Sequence, residues 1–436
     1  MLRALPWQWA SGALNAVFAL WTFGGSVFLL FLNELGLPKA QMGVVLSLFP
    51  FCGLLALGFA PLATRLGRKR VFLVCYGARK AVMAGLLLLP LVLGHFGRRV
   101  GLAYLLTIIV VFAVLRALAE TAIYPWTQEV IPNRVRGMFS AVSTVLSTVA
   151  ACVALLVAGQ VIHAGAGLSR FLFLIGAGCV LGGISVLLMV RVPGGQPDAA
   201  AAPAAAHWAA MAAALRDRNF VHYLAGLGCV TIGTLLFASF LPLYVQERLG
   251  VPSGVVVTLD TAVMVGGALA GLFCGWATDR VGSRPILMPA LVLNLLIPLG
   301  WLLLPRQTPH AAAWCAALYF AYGAAASAVG ISAGRLLFNG VVPPQSNTAY
   351  TAIYYAWMGL TGGVAPLLAG ALLSACGNRQ TRLGPLALDG QTFLFLVAVL
   401  LLALGWRLYG RVRPDDRHTT RTVLRRLLEP IFSRGE

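Results

Sequence analysis

Arg116 and Glu120 stand four residues apart within an otherwise apolar run. On a helix that spacing places a guanidinium and a carboxylate on one face, where they pair. Two chemistries follow from such a pair shielded from water. It is a permanent neutralising ion pair, or its carboxylate takes up a proton each time a cavity opens to the acidic side, with the arginine setting how readily it does so. In the second case Arg116 is also placed to hold an anionic solute. Asp260 is another isolated acid in an apolar run, and it reads as a second proton site, an outer-gate contact or a hydrated cap. Arg79 and Lys80 complete the set, roughly 13 Å along a helix from the nearest turn. Their long side chains read first as snorkelling toward headgroups.

The chain lacks GxSxG, HExxH and GxxxxGK, and its eight cysteines fall singly in or beside apolar runs, with no CxxC. They read as small core residues. Covalent catalysis, direct use of ATP and a metal site are therefore unsupported, so neither an enzyme nor a cofactor is expected.

The elements that must position these charges are membrane helices. Of the 436 residues, 59% are hydrophobic and 10% charged, too little charge to cover a soluble protein of this size. Apolar runs match a bilayer core at roughly 10–32, 43–63, 71–93, 102–123, 138–161, 169–191, 221–244, 255–277, 285–304, 311–334, 349–374 and 391–409. An all-α membrane protein of twelve transmembrane helices is expected. The net charge of +19 would suit nucleic acid if it were gathered on one folded face, but it lies in short loops between apolar runs, so no nucleic acid is expected. Roughly 21 Lys and Arg fall on the side holding both termini and roughly 8 opposite, which places the termini in the cytoplasm. No cleavable signal is evident, and Ala-rich, Arg-over-Lys usage points to a bacterial plasma (inner) membrane.

The chain also repeats itself. "NELGLPKAQMGVV" and "QERLGVPSGVVV" align Gly36 and Pro38 with Gly250 and Pro252, while "LATRLGRKR" and "ATDRVGSR" align Gly67 with Gly282 at nearly the same offset. Two matches at one offset indicate a duplicated six-span unit, giving two pseudo-symmetric six-helix bundles at roughly 1–192 and 220–410. Between them a Gly, Pro and Ala-rich cytoplasmic linker occupies roughly 193–219, and a basic tail follows from roughly 411 to 436. Val423, Leu424, Leu427, Leu428 and Ile431 give that tail an apolar face beside arginines, suited to an anionic lipid surface.

These residues resemble the major facilitator superfamily. Its turn signature, G-x-x-x-D-[RK]-x-G-[RK]-[RK], is matched by Gly275, Asp279, Arg280, Gly282 and Arg284. In the first half Arg65, Gly67, Arg68 and Lys69 match, whereas Ala60 and Thr64 depart from it. The stretch "EVIPNRVRGMFSA" is similar to the loop after the superfamily's fourth span. The resemblance implies a cytoplasmic gate in which Asp279 meets the start of span five near Gly137, with Arg134 or Arg136. Thr64 would face span eleven, where Gln345 and Asn347 replace those cations, so one lock is charged and its twin neutral. Glu129 would pair with Arg65 or Arg70.

The resemblance further implies that spans one, four, seven and ten line a central cavity. Asn15, Thr22 and Ser26 form a polar stripe on span one; with Trp21, Thr231, Thr234, Tyr319 and Tyr322 they are candidates for substrate contact, each also readable as helix packing. Many exporters of the superfamily carry RxxxG in span four, and here Glu120 replaces the glycine. Gly267, Gly271 and Gly275 on span eight and Ser143, Ser147 and Ala151 on span five suit two helices that slide on one another. The expectation is a monomeric, lipid-embedded secondary transporter moving a small-molecule substrate by alternating access, coupled to protons. An uncoupled facilitator, a drug or amphiphile exporter and a membrane sensor on a transporter scaffold are the alternatives.

Overall fold

A computed structural model describes residues 5–55, 59, 66–131, 133–196, 211–304, 310–343, 347–376, 381–383 and 386–415. These residues form α1 (Leu5–Thr22), α2 (Gly25–Glu34), α3 (Lys39–Gly53), α4 (Arg68–Ala84), α5 (Leu89–Val130), α6 (Asn133–Ala164) and α7 (Ser169–Val190). Then come α8 (Arg218–Ala238), α9 (Leu241–Leu249), α10 (Ser253–Val281), α11 (Arg284–Leu303), α12 (Ala311–Leu336), α13 (Asn347–Cys376) and α14 (Gly390–Tyr409). Between α13 and α14 a short antiparallel hairpin, β1 (Thr381–Leu383) and β2 (Leu386–Leu388), sets Thr381 opposite Leu388. Strands this short cannot span a bilayer, so the membrane-crossing elements among the described residues are helices, as expected.

Among the described residues, ten helical runs are long and apolar enough to cross a membrane. One of them, Arg68–Thr127, has 60 residues and would extend about 90 Å if straight, three times a hydrocarbon core. It is broken at Gly97, whose φ is 76°, and α5 returns along α4, so that Tyr104 Oη donates to Gly85 O at 2.9 Å. Large apolar side chains such as Leu272, Phe273, Leu303 and Leu400 lie exposed, as they must where the solvent is lipid. The chain is an integral, multi-pass membrane protein.

The described residues fall into two compact units. The first comprises Met1–Ala202, Ser239–Thr261 and Gly362–Ala375; the second comprises Pro203–Ala238, Ala262–Thr361 and Cys376–Glu436. In the first, α1 packs on α7, and α4 packs on α5 and α7. In the second, α8 packs on α14, and α11 packs on α12 and α14. The same partners therefore recur in both. The repeated turns share their backbone too: φ is 68° at both Gly36 and Gly250, 93° at Gly67 and 89° at Gly282, a region in which a side chain would be strained.

The first helix of each half is interrupted. Gly25, at φ 62°, separates α1 from α2, and Pro242 opens α9 just after α8, a position where its missing N–H costs nothing. At this end, segments of the second half join the first unit through backbone contact. A methyl group on Gly43 of α3 would lie 2.5 Å from Pro366 O of α13, and one on Gly254 of α10 would lie 2.5 Å from Gly159 O of α6. Lys39 pairs with Glu247 at 2.7 Å, and Ala40 N donates to Ser374 Oγ at 2.9 Å.

Within each unit the small-residue stripes have close neighbours. Gly267 and Gly271 lie against Gly323 and Ser327 of α12, while Ser143 and Ser147 lie against Gly12 of α1. Helices α6 and α10 approach at Gly159 and Gly254. Spacing identifies a face fit for close approach, but several helices carry such faces, and only the packing selects the pair.

In the second unit the Gly282 turn is tied to the chain beyond α14. Asp415 accepts from Ser283 N at 3.1 Å and from Ser283 Oγ, and Ser283 is fully buried. Asp415→Ala strands those donors at a cost of about 1–3 kcal/mol. A lowered melting temperature in lipid nanodiscs is expected; an unchanged one would show that water replaces the carboxylate.

Candidate functional site

Helices α1, α4 and α5 bring the intramembrane charges of the first unit together. Asn15 of α1 points its Oδ1 at two cations of α4, accepting from Arg79 Nη2 at 3.0 Å and from Lys80 Nζ at 2.6 Å. Both cations are only 4% exposed. The Arg79 guanidinium lies 4.4 Å from the Tyr76 ring centre, and the Lys80 ammonium 3.3 Å from that of Phe18. This corrects the snorkelling expectation. Consecutive helical side chains diverge by about 100°, so holding both inside takes a partner able to reach each. One amide oxygen with two lone pairs does so.

On α5, Arg116 Nε donates to Glu120 Oε1 at 2.7 Å, the helical pairing that the spacing predicts. The Arg116 guanidinium also lies 5.5 Å from the Phe23 ring centre. Glu120 and Arg79 both face a cavity of about 250 Å³, whose other walls are Gln8, Ser11, Gly12, Asn15, Phe72, Tyr76, Ala119, Ile123, Thr127, Phe139 and Met189. The lining combines charged and polar side chains with apolar and aromatic ones.

Of the expected cavity residues, Asn15 lines this space. Trp21 instead donates from Nε1 to Ala154 O at 2.8 Å. Thr22 is buried and returns its hydroxyl to Phe18 O at 2.6 Å, the local bond that competes with any outward role. Ser26 lies beyond the helix break, where its N–H donates to Asp260 Oδ2 at 3.0 Å. The stripe predicted by a continuous helix is therefore cut by the break. In the second unit Thr231 donates to Met358 Sδ at 3.9 Å, and Thr234 accepts from Asn294 Nδ2 at 2.9 Å. Tyr319 packs 5.7 Å from Trp301, and Tyr322 5.7 Å from Phe237, between ring centres.

Of the gate residues, Glu129 pairs with Arg68 at 3.6 Å and accepts from Gly195 N at 3.0 Å; of its expected partners, Arg65 lies outside the described residues. The backbone at Gly195 brings that amide to the carboxylate, a long-range contact that spacing does not encode. Asp279 lies 3.7 Å from Arg335 of α12, its side chain 79% exposed. Arg280 lies 4.4 Å from the Trp276 ring centre, and Arg284 donates to Gly410 O. Thr64, Arg65, Gln345, the side chains of Arg134, Arg136 and Asn347, and the tail helix lie outside the described residues. Sequence reasoning undervalued Arg79 and Lys80 and overlooked Gln8 and Tyr76. The signal was present in a pair of cations well inside an apolar helix.

The profile of the Major Facilitator Superfamily matches residues 9–328 and again 249–434. The chain belongs to this superfamily. Solved structures carry the same fold: a D-xylose-proton symporter (TM-score 0.70, 12% identity, covering 95% of this chain and 98% of that one) and the nucleoside transporter NupG (0.65, 16%, 94% and 98%). A bacterial homologue of the human lysosomal transporter Spinster, inward-facing and unoccupied, aligns likewise (0.68, 15%, 97% and 97%). A search of curated proteins found no match. Superfamily membership makes this chain a membrane transport protein.

Proposed function

We propose that this superfamily member is a secondary active transporter that moves a small organic solute by alternating access and draws its energy from protons. The observation that carries the reading is Glu120 on the wall of a cavity, held by Arg116 at 2.7 Å. A carboxylate there exchanges a proton with the cavity, and its arginine partner couples that exchange to the position of α5. Two six-helix bundles, at roughly 1–192 and 220–410, rock about the solute. Twelve spans, both termini cytoplasmic, residence in a bacterial inner membrane and a monomeric state complete the proposal. The repeated helix partners and matching glycine turns support the bundles. The backbone contacts at Gly43 and Gly254 support an outer gate closed in this state.

The direct test reconstitutes the purified protein in liposomes and imposes an inside-alkaline pH gradient. An identified solute is expected to accumulate inside; flux that only equilibrates would make the protein an uncoupled facilitator. A second expectation concerns the inner gate, where one acid serves the whole lock. Asp279→Asn slows transport more than Thr64→Ala does, by about tenfold for each 1.4 kcal/mol lost from the closed state. Equal rates in the two variants at equal expression would remove the asymmetric lock.

A further inference from the structure

We infer that the cavity beside Asn15 binds a small organic anion, a carboxylic acid with an apolar body, through Arg79 and Gln8. The inference rests on the transport reading of the same cavity and names the class of its solute.

The charges do not balance without such a ligand. Arg79 and Lys80 are buried, and no carboxylate among the described residues pairs with either. The nearest acid of the cavity wall, Glu120, is already engaged by Arg116. Buried cations left without an anion are costly in lipid and mark a functional site by default. Asn15 uses a single guanidinium donor and a single ammonium donor, out of five and three.

The unmet hydrogen bonds belong to the same cavity. Among the described residues Arg79 Nε is buried without a partner, and so are both Nε2 and Oε1 of Gln8, a wall residue only 8% exposed. A carboxylate is acceptor-only, and a guanidinium edge and an amide N–H lining one cavity are the donors it fits. The remaining walls choose the body of the solute. Phe72, Ile123, Phe139 and Met189 are apolar, and the cavity, at about 250 Å³, exceeds the roughly 150 Å³ that accommodates benzene. It has room for one ring or a short chain in addition to the acid group.

The test compares acids with their neutral amides on the full chain in nanodiscs, using phenylacetate against phenylacetamide and hexanoate against hexanamide. Thermal unfolding and calorimetry are expected to show that at least one acid stabilises the protein at millimolar concentration while its amide does not. Arg79→Gln is expected to abolish that difference. Should that variant fail to fold, Gln8→Met decides the matter: it removes an unsatisfied buried amide at nearly constant volume. The ligand-free protein should melt higher while acid affinity falls at least tenfold, opposite movements that a purely structural glutamine cannot produce. Acid and amide acting alike, or Gln8→Met leaving acid affinity unchanged, would overturn the inference. Exchange of labelled phenylacetate across liposomes separates the two proposals. Binding without flux defeats the transport reading alone, and flux of a neutral solute without acid binding defeats the anion site alone.

Discussion

Glu120→Gln is expected to abolish proton-driven accumulation while leaving solute exchange intact. The amide keeps the shape of the carboxylate, and its oxygen still accepts from Arg116 Nε, a bond of 2.7 Å in the wild-type pair. What it loses is the ability to gain and release a proton. With one proton carried per solute, each pH unit across the membrane sustains about a tenfold accumulation, and in the variant this ratio falls to one. Exchange at equal concentrations needs no proton and continues. Arg116→Gln behaves differently, because it leaves a carboxylate on the cavity wall without its cation; slower exchange as well as weaker coupling is expected. The side chains of the pair are 32% and 45% accessible, so its worth in folding stability is modest and the readout belongs to transport. Accumulation persisting in Glu120→Gln would move the proton site elsewhere, with Asp260 the next acid to test.

The second large effect is steric. Gly43→Val and Gly254→Val each place carbon where a backbone carbonyl already stands, 2.5 Å from Pro366 O and from Gly159 O respectively. Neither helix can yield by a rotamer change, so the helices must part. Overpacking of this kind costs about 1–3 kcal/mol, enough to move a two-state balance by about tenfold to a hundredfold. Transport is expected to fall by that factor, with the first-unit end of α10 opening to solvent. A cysteine introduced at Ser26, beside Asp260, should then react faster with an impermeant thiol reagent applied from outside. Gly183→Ala on α7 provides the control, since a methyl group there meets nothing within 4 Å. Wild-type transport and unchanged labelling in both valine variants would show that this close approach plays no part in the cycle.

The parts of the site that were legible in the sequence are those set by distances within one helix. Arg116 and Glu120 pair because the helical period brings residues four apart together in any context. The turns at Gly67 and Gly282 were visible for a similar reason: a chain that must enter the positive-φ region leaves glycine as its trace. Membrane residence follows from composition, since apolar surface of this extent has no other stable solvent. Thr22 and Ser26 show where such reasoning stops, because the stripe they form assumes a straight helix and the chain breaks between them.

By itself, then, the sequence determined that the chain lives in a bilayer, that its glycine turns recur at one offset, and that α5 carries an ion pair. The tertiary structure decided which helices touch. It turned Arg79 and Lys80 inward by supplying Asn15 from a helix 64 and 65 residues earlier, and it set Gly254 against Gly159. The physical reason is that lipid rewards nearly any apolar helix face alike. Hydropathy therefore places helices in the membrane, and only their mutual packing and the pairing of buried polar groups choose their neighbours.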